Sequence, residues 1–285
     1  TKKVADRLDE IFRNERAQLE EKWDNLKLFI EYGMLSDEKF CDRAMKFALL
    51  KNTEDKYFSI EDYKKAIEGE QTDKDKKVVF LYATDKEAQY SFIEAAKSKG
   101  YDVLLMDCQL DSHFVNLLET KVENARFARV DSDSVENLIP KAEKIRPELS
   151  ETEQEDLSVI FKSVLPKENE YYVQADNLGE DAAPILITQS EFMRRYREMS
   201  AMGGGMNFYG EMPSMYNITV NMQNPLVAKV MASKAAEVAP AQVIPDAASD
   251  ASEDVKRTVT EAKETAAASH KADLEAFAGD NEILK

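Results

Sequence analysis

Side chains suited to nucleophilic or metal chemistry are few in this sequence, and they are scattered. His113 and His270 are the two histidines, Cys41 and Cys108 the two cysteines, and each pair is split between distant segments. No CxxC spacing occurs, so neither a zinc site nor a disulfide framework is expected. His113 falls on a helical pattern, where a partly exposed packing role is the usual one. Cys108 follows the strand-like run Leu104-Leu105-Met106. It reads either as a reactive thiol or as a small residue at a strand end, and the second reading is preferred without a CxxC or a neighbouring basic residue. Acidic residues are abundant, but none has the ligand spacing of a calcium loop. Gly203-Gly204-Gly205 is the one glycine run, with no strand pattern before it and no Lys-Ser/Thr after it. A phosphate loop is therefore not expected, and no catalytic, cofactor-binding or metal-binding residue is predicted.

Methionine placement stands above this background. Seven of the 11 methionines, at positions 193, 199, 202, 206, 212, 215 and 222, fall within thirty residues. Thr188 followed by Glu191 has the form of a capping box, so a helix is expected to start at Gln189. On that helix Phe192, Met193, Tyr196, Met199 and Met202 share an apolar face, with Arg194, Arg197, Glu198 and Ala201 opposite. The glycine run ends it, and Met206, Phe208, Tyr209, Met212 and Met215 follow in a loop. Methionine is unbranched and polarisable, so such a face adapts to apolar partners of many shapes. The same stripe also suits the core side of an ordinary helix. Against that, cores favour Leu, Ile and Val, whose rotamers are better defined, and a glycine joint beside the helix suggests motion. The candidate protein-binding residues are thus Phe192, Met193, Tyr196, Met199, Met202, Met206, Phe208 and Met212.

The elements that must position these residues follow from periodicity. Val4, Leu8, Ile11 and Phe12, then Leu19, Trp23, Leu26 and Ile30, recur at helical spacing, so the first fifty residues are expected to be helical. Gly33 is expected to break that helix, with a restart at Ser36-Asp37-Glu38. Asn52 to Asp55 reads as a turn, and Ser59 to Ile67 as a further helix. After a polar linker over 69–77, Val78 to Ala83 is a continuous apolar run, as a strand buried on both faces requires. Thr84 and Glu87 suggest a capping box opening the next helix, which Gly100 stops. Asp102 to Met106 is the next strand, and strand, helix and strand in about thirty residues is a βαβ unit with a parallel sheet. Its first turn, Ala83-Thr84-Asp85-Lys86, lacks glycines, and Asp85 there disfavours an anion. A helix around Ser112 to Lys121 leads to a third strand at Arg126 to Val130. Later, Glu151 to Phe161 is helical, and Tyr171 to Val173 and Pro184 to Ile187 are strands. Tyr216, Ile218, Val220 and Met222 alternate with polar residues, predicting a strand with one buried face. Beyond Val230 the chain is rich in Ala, Glu and Lys, and the stripe of Val255, Val259, Leu274 and Phe277 is too thin to hold a core alone. It is expected to protrude and to need a partner. The fold class is α+β with an α/β part, in several domains.

The 285 residues are room for two or three domains of about 100–150 residues each. A net charge of −17 repels phosphate backbones, and the basic runs at Lys74–Lys77 and Met193–Arg197 are short, so nucleic acid is not an expected partner. No run of apolar residues is long enough for a membrane span, and none is expected. The reduced cysteines and the absence of a signal-peptide core fit the cytoplasm. The chain begins without Met and ends at Glu282-Ile283-Leu284-Lys285, which reads as a piece of a longer protein.

Several segments resemble a known family. Trp23-Asp24-Asn25-Leu26-Lys27-Leu28-Phe29-Ile30-Glu31-Tyr32-Gly33, Phe80-Leu81-Tyr82-Ala83-Thr84 and Lys99-Gly100-Tyr101-Asp102-Val103-Leu104-Leu105-Met106-Asp107 resemble the middle domain of heat shock protein 90 chaperones, most closely the bacterial type. Phe208-Tyr209-Gly210-Glu211-Met212-Pro213, Asn217 to Asn221 and Asn224-Pro225-Leu226 resemble that family's C-terminal domain. The resemblance covers roughly residues 1–230. It implies a helical segment of the middle domain over 1–72 and a small α/β subdomain over 73–140. A C-terminal domain with an exposed amphipathic helix would follow over 141–230, then a helical insertion over 231–285, truncated before the dimerisation helices. It further implies a homodimeric, cytoplasmic parent that uses ATP and Mg in an N-terminal domain outside this chain, with client proteins as partners. The client site would fall on the methionine face. A structural adaptor, with that face a permanent subunit seam, is the alternative. A membrane-surface or signal-sequence binder is a third reading, which the acidic balance disfavours.

Overall fold

The computed structural model describes residues 2–142, 147–189, 194 and 215–285. The chain is a mixed α+β protein with small parallel and mixed sheets, and it divides into two compact units. The first takes in residues 1–144 and 189–210, the second 145–188 and 211–285. Among the described residues no helix is long and apolar enough to cross a membrane.

The first unit opens with three helices, α1 (Lys2–Asn14), α2 (Arg16–Ser36) and α3 (Glu38–Ala44). The expected stripe on α2 is the buried one: Leu19, Trp23 and Ile30 are within the core. Gly33 does not break α2, which runs through it to Ser36. Its role is spatial. A Cβ there would meet the Phe40 ring at 2.7 Å, so only glycine lets α3 fold back this closely. The helical reading also fails at residues 49–51. There a short hairpin forms, β1 (Leu49–Lys51) against β2 (Tyr57–Ser59), around the expected Asn52 turn. Asn52 Oδ1 accepts the amides of Glu54 and Lys56, a local bond that periodicity does not reveal. Ser59 then caps α4 (Ile60–Ile67) as expected.

The α/β part follows the βαβ reading. β3 (Val78–Ala83), β4 (Val103–Leu105) and β5 (Ala125–Arg129) form a parallel sheet in the order β4-β3-β5, connected by α5 (Tyr90–Ser98) and α6 (Asp111–Lys121), with a short α7 (Val135–Leu138) after it. Because side chains alternate across a strand, Val78, Phe80 and Tyr82 enter one core with the helical segment. Val79, Leu81 and Ala83 enter another with Ile93 and Ala96 of α5. Phe80 stacks on Phe127 with centroids 4.6 Å apart. Both faces are covered, which explains the unbroken apolar run.

The second unit packs α8 (Glu151–Ser163), capped by a Ser150/Glu153 box, on a sheet of β6 (Glu170–Asp176), β7 (Ile185–Thr188) and β8 (Met215–Asn221). The order is β6-β8-β7, with β8 parallel to β6 and antiparallel to β7. β8 is therefore the central strand, and Ile218, Thr219, Val220 and Asn221 are all buried instead of alternating. Asn224 caps α9 (Pro225–Glu237), and after an extended stretch comes α10 (Glu253–Asp280). The partner that α10 needs is inside the unit. Leu274, Phe277 and Ala278 join the core with Leu157 and Ile160 of α8, whereas Val255 near its start is exposed.

Candidate functional site

The candidate residues Phe192, Met193, Tyr196, Met199, Met202, Met206, Phe208 and Met212 lie outside the described residues. Glu191, needed for the proposed capping box, lies outside them too. One residue of the stretch is described. Arg194, on the polar side of the sequence pattern, is buried, donates from Nη2 to the Tyr82 hydroxyl at 2.7 Å, and sits 5.9 Å from that ring's centroid. Tyr82 belongs to β3, so Arg194 is tied to the sheet of the first unit.

The carboxyl end of β3 is where an open parallel sheet commonly takes a ligand, because its neighbours are reached by crossovers to opposite sides. Here the chain's own side chains use the amides. Gln89 Oε1 accepts from Thr84 (2.7 Å) and Asp85 (3.0 Å), and Asp85 Oδ1 accepts from Glu87 and Ala88 (both 2.9 Å). This network also displaces the expected Thr84 cap: α5 starts only at Tyr90.

A second arrangement, which the sequence reading missed, joins α2 to the start of α6. Lys27 and Glu31 lie one turn apart on α2, and Asp111 opens α6 just after Cys108. Lys27 Nζ is 3.0 Å from Asp111 Oδ2, 3.4 Å from Asp107 Oδ1 and 3.9 Å from Glu31 Oε1. The Cys108 amide also donates to Asp111 Oδ2, at 2.6 Å. Glu31 is 1% exposed, and its Oε2 and Asp111 Oδ1 are buried without a hydrogen-bond partner among the described residues. One ligand atom from each of Glu31, Cys108 and Asp111 lies within 4.8 Å of the other two.

Burial, followed by the charge of Asp111, pushes the Glu31 carboxyl up to about 8 against the opposing pull of Lys27. Asp111 is raised too, by burial, with Lys27 and the Cys108 amide holding it back. Two buried carboxyls this close oppose each other's ionisation. The Cys108 thiol is pushed up to about 11, chiefly by burial and then by Glu31 and Asp111. It is a poor nucleophile, in line with the preferred sequence reading. The signal for this cluster is weak in the sequence: Lys27 and Glu31 show helical spacing, but Cys108 and Asp111 are some eighty residues away.

α2 also carries an uncovered apolar strip. Phe29 is 73% and Tyr32 64% exposed, with Leu28 and Leu35 beside them at helical spacing. His113 is half-buried on α6. His270 is not a free surface group but pairs with Asp156, Nε2 to Oδ1, at 2.8 Å.

A family model described as "Hsp90 protein" matches residues 1–249. Chaperone protein HtpG of Bacteroides fragilis is 52% identical over 248 residues, covering 85% of this chain and 36% of the relative. The protein of that name from Porphyromonas gingivalis is 50% identical over 242 residues, 84% of this chain and 35% of its own length. That from Bacteroides thetaiotaomicron is 47% identical over 270 residues, 93% and 40% respectively, a match that extends past residue 249 into the tail. The chain thus spans little more than a third of the length of these relatives.

Proposed function

The chain belongs to the Hsp90 family, and on that footing we propose that it is the client-binding and dimer-side part of an ATP-dependent molecular chaperone. The observation that carries this reading is identity of about one half, over 85% of the chain, to relatives named as HtpG chaperones. We assign residues 1–140 to the later part of the family's middle domain and 141–230, with the amphipathic helix, to most of its C-terminal domain. The parent would be a cytoplasmic homodimer, active in protein folding under stress, with ATP and Mg held in a domain outside this chain. Nucleic acid and membrane are not proposed partners.

This chain itself is proposed to be non-catalytic. The amides at the carboxyl end of β3 are committed to Gln89 and Asp85, which supports that reading. Client contact is proposed for the face formed by Phe192, Met193, Tyr196, Met199 and Met202 and for Met206, Phe208 and Met212 beyond it. Support comes from the pattern's opposite side, where Arg194 is docked on Tyr82. The exposed Phe29 and Tyr32 add apolar surface of the kind that marks protein contact.

The test is suppression of aggregation. The chain should keep a chemically unfolded model protein in solution, and the pair Met199→Ser with Met202→Ser should lose that protection severalfold while circular dichroism stays unchanged. Equal protection by parent and variant would count against the methionine face.

A further inference from the structure

We propose that Glu31, Asp111 and Cys108 form a binding site for a thiophilic divalent cation of the zinc type, clasping α2 to the start of α6. The donor set is one sulfur and two carboxylate oxygens, Glu31 from α2 and Cys108 and Asp111 from the turn that opens α6, all within 4.8 Å of one another. Such a mixed set suits zinc, which takes thiolate at about 2.3 Å and carboxylate at about 2.0–2.2 Å. Pulling the three atoms onto one ion needs only a small contraction. Three protein ligands leave a fourth position for solvent, and Cys108, being only half-buried, gives access to it.

The acids alone would not carry this. Among the described residues, Glu31 Oε2 and Asp111 Oδ1 are both buried and accept no hydrogen bond, on residues only 1% and 3% exposed. Buried carboxylate oxygens are ordinarily satisfied. Two buried carboxyls with ligand atoms within 4.8 Å of each other need a shared proton or a cation to satisfy them. Lys27 touches neither Glu31 Oε2 nor Asp111 Oδ1: its contacts are to Asp111 Oδ2, Asp107 Oδ1 and, at 3.9 Å, Glu31 Oε1. It serves instead as an outer partner that orients Asp111, as groups behind metal ligands commonly do. Cation binding displaces the proton held by the two carboxyls and the proton of the thiol, so that the ligands become two carboxylates and a thiolate. The inference is independent of the chaperone reading.

The test uses the whole chain, freed of metal with a chelator and then titrated with Co2+. About one equivalent should bind with a thiolate-to-cobalt charge-transfer band, and one equivalent of Zn2+ should abolish that band by displacement. Cys108→Ser should remove the band, Glu31→Gln should weaken binding tenfold or more, and Cys41→Ser should leave both unchanged. Zn2+ should also raise the melting temperature of the parent chain. Absence of a thiolate band in the parent chain, which needs no variant to fold, would overturn the proposal. So would Zn2+ binding equally well to Cys108→Ser. Either result would assign the gap between the two carboxyls to the proton alone.

Discussion

Glu31→Gln is expected to abolish a loss of stability that the metal-free parent suffers as pH rises from about 4.5 to about 8. The Glu31 carboxyl is raised from 4.5 to about 8 by burial and by Asp111. A carboxyl with a raised value binds its proton more tightly in the folded chain than in the unfolded one. Its contribution is therefore complete below about 4.5 and is lost progressively as pH climbs through about 8. Fully lost, it amounts to on the order of 5 kcal/mol at 1.36 kcal/mol per unit, a large part of the stability of a typical domain. The groups facing it are Lys27 on its own helix and Asp111 and the neutral Cys108 thiol at the start of α6. Asp111, raised as well, acts in the same direction. Glutamine cannot ionise and offers Asp111 a permanent N–H donor, so the variant should be the more stable protein above pH 8. Urea unfolding of metal-free parent and variant at about pH 5, 7 and 9 measures this. Parallel stability curves would show that Glu31 ionises without cost.

Asp156→Ala should be the most damaging single change in the second unit, at about 3–5 kcal/mol. Asp156 is buried on α8 and serves two other helices: Oδ2 accepts from Lys234 Nζ of α9 at 2.6 Å, and Oδ1 meets His270 Nε2 of α10 at 2.8 Å. The side chains of Lys234 and His270 are themselves only 16% and 12% exposed. Removing the carboxylate strands both donors where water reaches them poorly. The loss should be local first. Backbone hydrogen exchange should quicken in α10, whose hold on α8 otherwise rests on Leu274, Phe277 and Ala278. A cost below about 1 kcal/mol would place Asp156 among the exposed ion pairs instead.

The sequence made the α/β sheet legible because its signal is local. The apolar run Val78–Ala83 and the strand-helix-strand spacing allow little besides a buried parallel strand. The buried stripe of α2 was legible for the same reason. What failed depends on contacts between distant residues. Gly33 looks like a helix breaker until the Phe40 ring is seen beside it. The alternation in β8 suggested one wet face, but Ile218 and Val220 pack into the core with α8 while Asn221 on the other face is covered by the 179–183 stretch, whose carbonyls it bonds. Thr84 and Glu87 have the form of a cap, yet Asp85 takes the Glu87 amide and Gln89 the Thr84 amide that the box would pair. The cluster of Glu31, Cys108 and Asp111 exists only once α2 meets α6, so no local pattern announces it. Asp156 likewise finds Lys234 and His270 from far along the chain. The methionine face is the reverse case: its pattern is plain in the sequence, and its residues fall outside those the structure describes.

The central claim, that this face receives client proteins, is tested most directly by site-specific photo-cross-linking. Met199 is replaced by p-benzoylphenylalanine, which leaves Cys41 and Cys108 untouched, and the chain is irradiated with an unfolded model protein. The account predicts cross-links to the unfolded protein, suppressed when its native form is used. Cross-links only to a second copy of this chain, with none to the unfolded protein, would contradict it and make the face a permanent subunit seam.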